Sequence, residues 1–406
     1  MSRLLVDSGI SWLGKIPEDW TVAKVKNRFF HHKNVAKEDA INYDRVSLTL
    51  NGVILRDKED ANGLQPEDFY GYQIVKKNDI IFKLIDLENV NTSRVGRSDY
   101  EGITSPAYIL LHEKDEVEPY FDFYFKNLYY QEIFNNLGGN GVRSAINKDD
   151  LLNIPLLIPT SKDIKRISNY LNNKCKKIDD IIKDNEKEIE LLEEYSKNVF
   201  KDEISKHSTE VFKLKYLVSK KLQYGANSSG QEYNPDLPRY VRITDIINNG
   251  LKSDDILSLS EEEAKDFILN EGDILFARSG GTVGKSFLYK NNYGRCAFAG
   301  YLIRAQFDDL ELSSYVYNYT NSVLYDEWKN SIFIQSTIQN IGADKYSVMP
   351  IPIPIDRNAI RLINKNVLDK TEKIDKVIEY RKRIIDKLEE LKKSLIYEVI
   401  TGKKEV

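Results

Sequence analysis

The stretch most suggestive of chemistry is Ala277-Arg-Ser-Gly-Gly-Thr-Val-Gly-Lys-Ser286, a glycine-rich run after an apolar segment. A nucleotide-phosphate loop needs Gly, four residues, then Gly-Lys-Ser/Thr, so that backbone N–H groups close on phosphate at a helix N-terminus. Here Ser279 stands five places before Gly284, and Gly280 comes one residue late. The following Ser286-Phe-Leu-Tyr289 reads as a strand, not a helix. The matching loop of the first half, Asn91-Thr-Ser-Arg-Val-Gly-Arg-Ser98, has no glycine pair. Nucleotide hydrolysis is set aside. With Arg278, Ser279, Thr282 and Lys285, the loop suits close approach to a nucleic-acid backbone.

Other chemistries fare worse. His31, His32, His112 and His207 with Cys175 and Cys296 offer no ligand spacing for a structural zinc site, and no metal is expected. Two cysteines make no disulfide framework, which points to a reducing, cytoplasmic setting. Acid–base catalysis needs convergent carboxylates or a partnered histidine. The acidic residues sit instead in charge-balanced helix faces and turns, and no Asn-Pro-Pro-aromatic segment of an adenine methyltransferase occurs. No catalytic residue is assigned, and the chain reads as a non-enzyme.

Nucleic-acid binding must therefore come from local clusters. The net charge is -4, and residues 1–160 hold 19 Lys and Arg against 24 Asp and Glu, so no segment-wide basic surface exists. Loop clusters do occur among Asn, Ser, Thr, Gln and Gly, types that donate to phosphates or read base edges. The candidate DNA contacts are Lys83, Asn91, Arg94, Arg97, Arg143, Ser144, Arg242, Arg278, Ser279, Thr282, Lys285, Ser336, Thr337 and Gln339.

The elements that would position these residues are written twice. Tyr43-Asp-Arg-Val recurs as Tyr240-Val-Arg-Ile, and Asn78-Asp-Ile-Ile-Phe82 as Gly272-Asp-Ile-Leu-Phe276. Val95-Gly-Arg-Ser98 recurs as Val283-Gly-Lys-Ser286, in the same order. Ile164, Ile178, Ile182, Ile189 and Leu192 each meet an identical residue 196 positions later. Such order implies a tandem duplication. Each copy opens with short β-branched and aromatic runs: Val46–Leu50, Asn51-Gly52, then Val53–Leu55 reads as a hairpin, and the 79–82 and 273–276 runs as buried strands. The aromatic stretches 120–134 and 315–328 read as short helices. Each copy then continues without Pro or Gly in heptads: Ile164, Leu171, Ile178, Ile182, Ile189 and Leu192, then Ile360, Val367, Ile374, Ile378, Ile385 and Leu388. Apolar sevens predict long helices whose seams pack on each other, antiparallel by chain order. Ser161 and Asp356 are candidate N-caps, and Gly402 a C-terminal stop. The expected fold class is α+β, with two tandem α/β globular domains separated by two long antiparallel coiled-coil helices. The boundaries are 1–160 for the first domain, 161–207 for spacer helix 1, 208–355 for the second domain and 356–406 for spacer helix 2. No run of 18 apolar residues occurs, so no membrane partner is expected.

On these motifs the chain resembles the specificity subunits of type I restriction-modification systems. The opening Asp7-Ser-Gly-Ile-Ser-Trp-Leu-Gly-Lys-Ile-Pro-Glu-Asp-Trp20 is similar to theirs, as are Gly272–Ser279, Gln335-Ser-Thr-Ile-Gln-Asn-Ile341 and the Ile-Pro-rich lead into each helix. The first copy departs from the pattern, with Asn140-Gly-Val-Arg-Ser-Ala-Ile146 at the place of 334–338. The resemblance implies a target-recognition domain for each half of a bipartite double-stranded DNA site, a helix pair that sets the unread spacer, and docking of two modification (methyltransferase) subunits. It implies no cofactor in this chain. S-adenosylmethionine, ATP and Mg would belong to partners, including restriction subunits that translocate and cleave in anti-phage defence. The competing reading is a non-enzymatic coiled-coil scaffold whose globular domains bind protein.

Overall fold

The structure, a computed structural model, describes residues 3–49, 52–58, 68–85, 87, 94–137, 145–247, 250–334 and 340–406. The chain divides into two compact units: Met1–Asp184 with Ile384–Val406, and Asn185–Arg383. The globular segments and the helices are therefore not separate bodies, since each unit takes part of both long helices.

In the first unit, strands β1 (Phe29–His31), β2 (Ile80–Phe82), β3 (Val95–Arg97) and β4 (Ile109–Glu113) form an antiparallel sheet in the order β1-β4-β2-β3. A second sheet holds strands 52–56, 45–49, 102–104 and 73–75 in that order, with one parallel pair at Ile103 and Arg45. Successive strand side chains point to opposite faces. Ile81 and Leu110 accordingly join Val46, Leu48 and Val75 of the second sheet. Ile80, Phe82 and Leu111 join the aromatic helix α1 (Tyr120–Tyr130) in a larger core. Both faces of β2 are covered, which explains its unbroken apolar sequence. The 45–49 and 52–56 strands form the expected hairpin, but Thr49 stands opposite Gly52. Gly52 thus belongs to the strand, and the register differs from the Leu50–Val53 pairing that an Asn51-Gly52 loop would set; residues 50 and 51 lie outside the described residues.

Helix α2 (Ser161–Ile204) begins in this unit. Its Ile164, Leu171 and Ile178 share a core with Leu395, Ile396, Val399 and Ile400 of the last helix. Fully burying one such side chain is worth roughly 1.5–3 kcal/mol. The N-cap is Thr160 and not Ser161, since the Asp163 N–H donates to Thr160 Oγ1 at 3.2 Å.

The second unit follows the same plan. Strands β5 (Gln223–Tyr224), β6 (Ile274–Ala277), β7 (Ser286–Leu288) and β8 (Leu302–Ala305) run in the order β5-β8-β6-β7. Strands 231–232, 257–258, 239–241 and 296–298 form the second sheet, again with one parallel pair, Tyr240 beside Ala297. Val241 and Phe298 pack on Leu275, Ala277 and Leu302 between the two sheets. The turn before the central strand needs a left-handed residue in both units, Asn78 at φ 74° and Gly272 at φ 86°. A Cβ on Gly272 would stand 2.5 Å from Leu310 Cδ2.

Helix α3 (Leu310–Thr320) sets Tyr315 and Tyr319 against Phe200 of α2, with ring centroids 5.1 and 6.0 Å away. Helix α4 (Ala359–Ile400) starts three residues later than expected, after an Asp356 Oδ1 bond from the Asn358 N–H. Gly402 at φ 72° follows its end, the stop that the sequence signals. Proline-rich 350–354 is a strand paired with 209–213. The bonds from Leu214 to Met349 and from Ile355 to Ser208 put Pro350, Pro352 and Pro354 at non-bonded places, where a missing N–H costs nothing.

Within this unit α2 and α4 run antiparallel: Arg381 Nη1 donates to Asn185 Oδ1 at 2.9 Å, and Lys370 meets Glu203 at 2.7 Å. Every heptad position named from the sequence is buried or half-buried, whereas Ile181, Leu191, Leu362 and Leu391 on the same helices are exposed. Glu203 is buried yet charged. Burial pushes its carboxyl up, but bonds from Lys206, Lys370 and Asn366 bring it down to about 2.

Candidate nucleic-acid interface

The glycine-rich loop is a tight hairpin, not a phosphate cradle. The Gly284 N–H donates to Ala277 O at 2.9 Å, and the Ala277 N–H to Lys285 O at 2.8 Å. Gly280 (φ 79°) and Gly284 (φ 84°) take the left-handed conformations that close the turn. Tyrosines pin it from below: Tyr325 OH donates to Gly284 O at 2.7 Å and Tyr346 OH to Ala277 O at 3.1 Å. Strand β7 follows, as the sequence reading requires, so the loop does not lead into a helix.

Thr282 and Lys285 line a cleft of about 1330 Å³ in the second unit, between the loop and helices α2, α3 and α4. Lys197, Lys290, Lys329, Arg361 and Lys365 add five cations to Lys285, against acidic Glu311, Asp326 and Glu372. Asp326 neutralises two of them, accepting from Lys197 at 2.9 Å and Lys329 at 2.8 Å. Burial raises the Asp326 carboxyl, but those two ammonium groups hold it below its ordinary value. Among the described residues, Lys285, Lys290 and Lys365 have no ion-pair partner within the unit and are exposed. A concave wall with surplus cations concentrates a polyanion. Arg361 and Lys365 lie one helical turn apart on α4, a spacing that could have flagged them.

Arg278 and Ser279 lie on the loop's other flank. The Arg278 guanidinium sits 5.1 Å over the Tyr224 ring, half-exposed, and the Arg278 carbonyl accepts from the Ile341 N–H at 2.9 Å. Ser279 bridges to Asn340. Ser336, Thr337 and Gln339 lie outside the described residues. Asn91, Arg143 and Ser144 lie outside them too.

Three expected donors serve the fold instead. Arg97 pairs with Glu113 at 3.0 Å and Asp122 at 2.6 Å, which fixes β3 to β4 and α1. Arg94 is 2% exposed. Arg242 is bonded to Asp245 at 3.0 Å and to Asp255 at 3.0 Å. Lys83 is half-buried at the end of β2, where its N–H donates to Arg94 O at 2.9 Å. The histidine spacing also missed an association: His32 and His112 both reach Asp79, from 47 and 33 residues away.

The fold defines a class: two α+β units of one plan, each completed by segments of two long helices. Known proteins resemble parts of this chain in sequence and nearly all of it in fold. Residues 206–390 match the family described as "Type I restriction modification DNA specificity domain". A Methanocaldococcus jannaschii protein, named as the type I restriction enzyme MjaX specificity subunit, is 28% identical over 200 residues. That alignment covers 47% of this chain and 43% of the relative, so the chain matches less than half of that relative's length. Over 96% of its length, the chain superposes on all of a chain from a structure solved to explain complex assembly and conformational transition of the type I R-M system, with a TM-score of 0.67 and 12% identity. The HsdS subunit of Thermoanaerobacter tengcongensis gives a TM-score of 0.45 at 13% identity, covering 96% of this chain and 98% of that one. The family match thus falls on the second repeat, and the likeness in fold extends over both repeats.

Proposed function

We propose that the chain is a DNA sequence-recognition subunit of a type I restriction-modification complex, each unit reading one half of a split site. The observation that carries this reading is the specificity-domain match over 206–390, on a fold that the chain repeats. The cationic cleft beside Thr282 and Lys285 supports a DNA backbone contact there, and the half-exposed Arg278 on the loop's other flank supports base reading. The long helices would set the unread spacer, and their exposed Leu191, Leu362 and Leu391 would dock the modification subunits. Methyl transfer with S-adenosylmethionine, and ATP-driven cleavage, fall to those partners. The chain itself acts by binding and positioning.

Two measurements test this. Affinity of the chain with its co-purifying partners for a cognate duplex should fall steeply with salt, by about 0.9 in log K per log[salt] for each phosphate contact. A protein-binding scaffold would show no DNA dependence. Exchange of residues 208–355 for the same segment of a relative should then change one half of the protected sequence. Alteration of both halves would mean that reading is shared between the units.

A further inference from the structure

The triad His32–Asp79–His112 belongs to neither the DNA contacts nor the core. Asp79 is fully buried at the foot of β2; His112 Nδ1 lies 2.8 Å from its Oδ1, and His32 Nε2 lies 2.9 Å from its Oδ2. One ligand atom from each residue falls within 4.8 Å of the other two. His32 follows β1 and His112 sits on β4, so three elements converge on the carboxylate.

The second unit supplies a control. The equivalent aspartate, Asp273, makes the same turn bond, from the Asn270 N–H at 3.0 Å, as Asp79 makes from the Lys76 N–H at 2.7 Å. The buried charge of Asp273 faces the Arg304 guanidinium at 3.6 Å, with a side-chain bond from Gln306. Strand register matches Leu110 to Arg304, His112 to Gln306 and His32 to Gln223. The first unit thus lacks the arginine and carries imidazoles where the second carries amides. Among the described residues, the ion-pair partners of Asp79 are those two imidazoles. A turn-capping aspartate does not need histidines, since Asp273 manages without them. A buried carboxylate does need a countercharge.

We propose that His32, Asp79 and His112 bind a divalent transition-metal ion of the imidazole-preferring kind, zinc being the type. Two imidazoles and a carboxylate leave a fourth position for water. Ligand atoms around a tetrahedral ion stand about 3.3 Å apart, from bonds of roughly 2.0–2.1 Å. The two imidazole–carboxylate distances, each to a different oxygen of Asp79, are shorter than this by a few tenths of an ångström. All three ligand atoms lie within 4.8 Å of one another, so ring and carboxylate rotations would have to bring them onto one ion. Each neutral imidazole carries its proton on the nitrogen turned away from the ion. The histidine side chains are 18% and 32% exposed, so the ion enters from solvent while Asp79 stays covered. Bound there, it ties β1, β2 and β4 together and replaces the charge that Arg304 provides in the other unit.

The test uses the full chain after chelator treatment. Cobalt(II) titration should give a visible d–d band that saturates at a single equivalent and is displaced by zinc. Zinc at about a hundredfold excess over its Kd should raise Tm by a few degrees. The double variant His32→Gln/His112→Gln installs the amides of the second unit. It should keep the parent's circular dichroism and bind cobalt more than about a hundredfold more weakly. The single variant His112→Gln gives the same readout should the double variant misfold. The proposal is overturned by a parent that binds neither ion at this stoichiometry, or by variants that bind as the parent does.

Discussion

Equivalent strand ends in the two units carry opposite chemistry on one backbone plan. The carbonyl of Leu84 accepts from the Ile146 N–H at 3.0 Å, as that of Arg278 accepts from Ile341 at 2.9 Å. Leu84 is 1% exposed and belongs to the first unit's core. Arg278 stands half-exposed over Tyr224. The same division separates Asp79, between two histidines, from Asp273, opposite an arginine. Backbone bonds, turn conformations and central apolar residues persist between the copies, because the sheet cannot form without them. Side chains at the strand ends are free to diverge. On the proposed function that freedom has a use, since two identical units would recognise identical half-sites.

The comparison predicts first that the two cores are of equal worth. Phe82 packs edge-on against Phe125 at 5.0 Å, and Phe276 stacks on Tyr346 at 4.5 Å; both are fully buried. Phe82→Ala and Phe276→Ala should each cost about 3–5 kcal/mol in denaturant titrations. A large inequality would break the claim that folding needs are shared.

The helix pairs are expected to be unequal. Glu203 in the second unit has a side chain 2% exposed among three donors, whereas Asp179 with Lys392 in the first is 52% exposed. Glu203→Gln should destabilise by about 1–3 kcal/mol, and Asp179→Asn by at most about 0.5 kcal/mol. Because folding lowers the Glu203 carboxyl from 4.5 to about 2, its contribution is complete above the unfolded value and fades as pH falls through that window. Acid titration of parent and Glu203→Gln should converge there. Parallel curves would assign the effect to packing.

DNA binding sharpens the contrast at the strand ends. Arg278→Ala should weaken binding by about 1–3 kcal/mol and relax one position if it reads a base, and Lys285→Ala should lower the salt slope by about one unit. Neither should shift Tm noticeably. If both variants bind as the parent does, the cleft and its rim are not the contact surface. The smallest effect lies in the shared turn. Asn78→Gly installs the residue of the second unit at a left-handed position, and relieved strain should offset the looser unfolded chain to within about 0.5 kcal/mol.

The sequence made some of this legible and hid the rest for physical reasons. Duplication and heptads are local, periodic signals, and the burial of Leu171, Ile178, Val367 and Ile374 follows the sevens. The strand after Lys285 was legible because alternation is local too. Arg97 looked like any loop cation because Glu113 and Asp122, which neutralise it, lie on other elements. The cationic cleft and the histidine triad were hidden for the same reason: they exist only where segments distant in sequence meet.

The discontinuity of the first unit bears on how the chain is made. Its core includes Leu395, Ile396, Val399 and Ile400, which leave the ribosome some 200 residues after Asp184. At about 5–20 residues per second, that is a delay of about 10–40 s. During it, Leu171 and Ile178 await their partners, while Asn185–Arg383 emerges as one uninterrupted piece. The second unit is therefore the first able to finish folding, and the earlier one waits for the end of the last helix. A released chain truncated after Arg383 should be protease-sensitive in 1–184 and protected in 185–383, and uniform protection would refute that order.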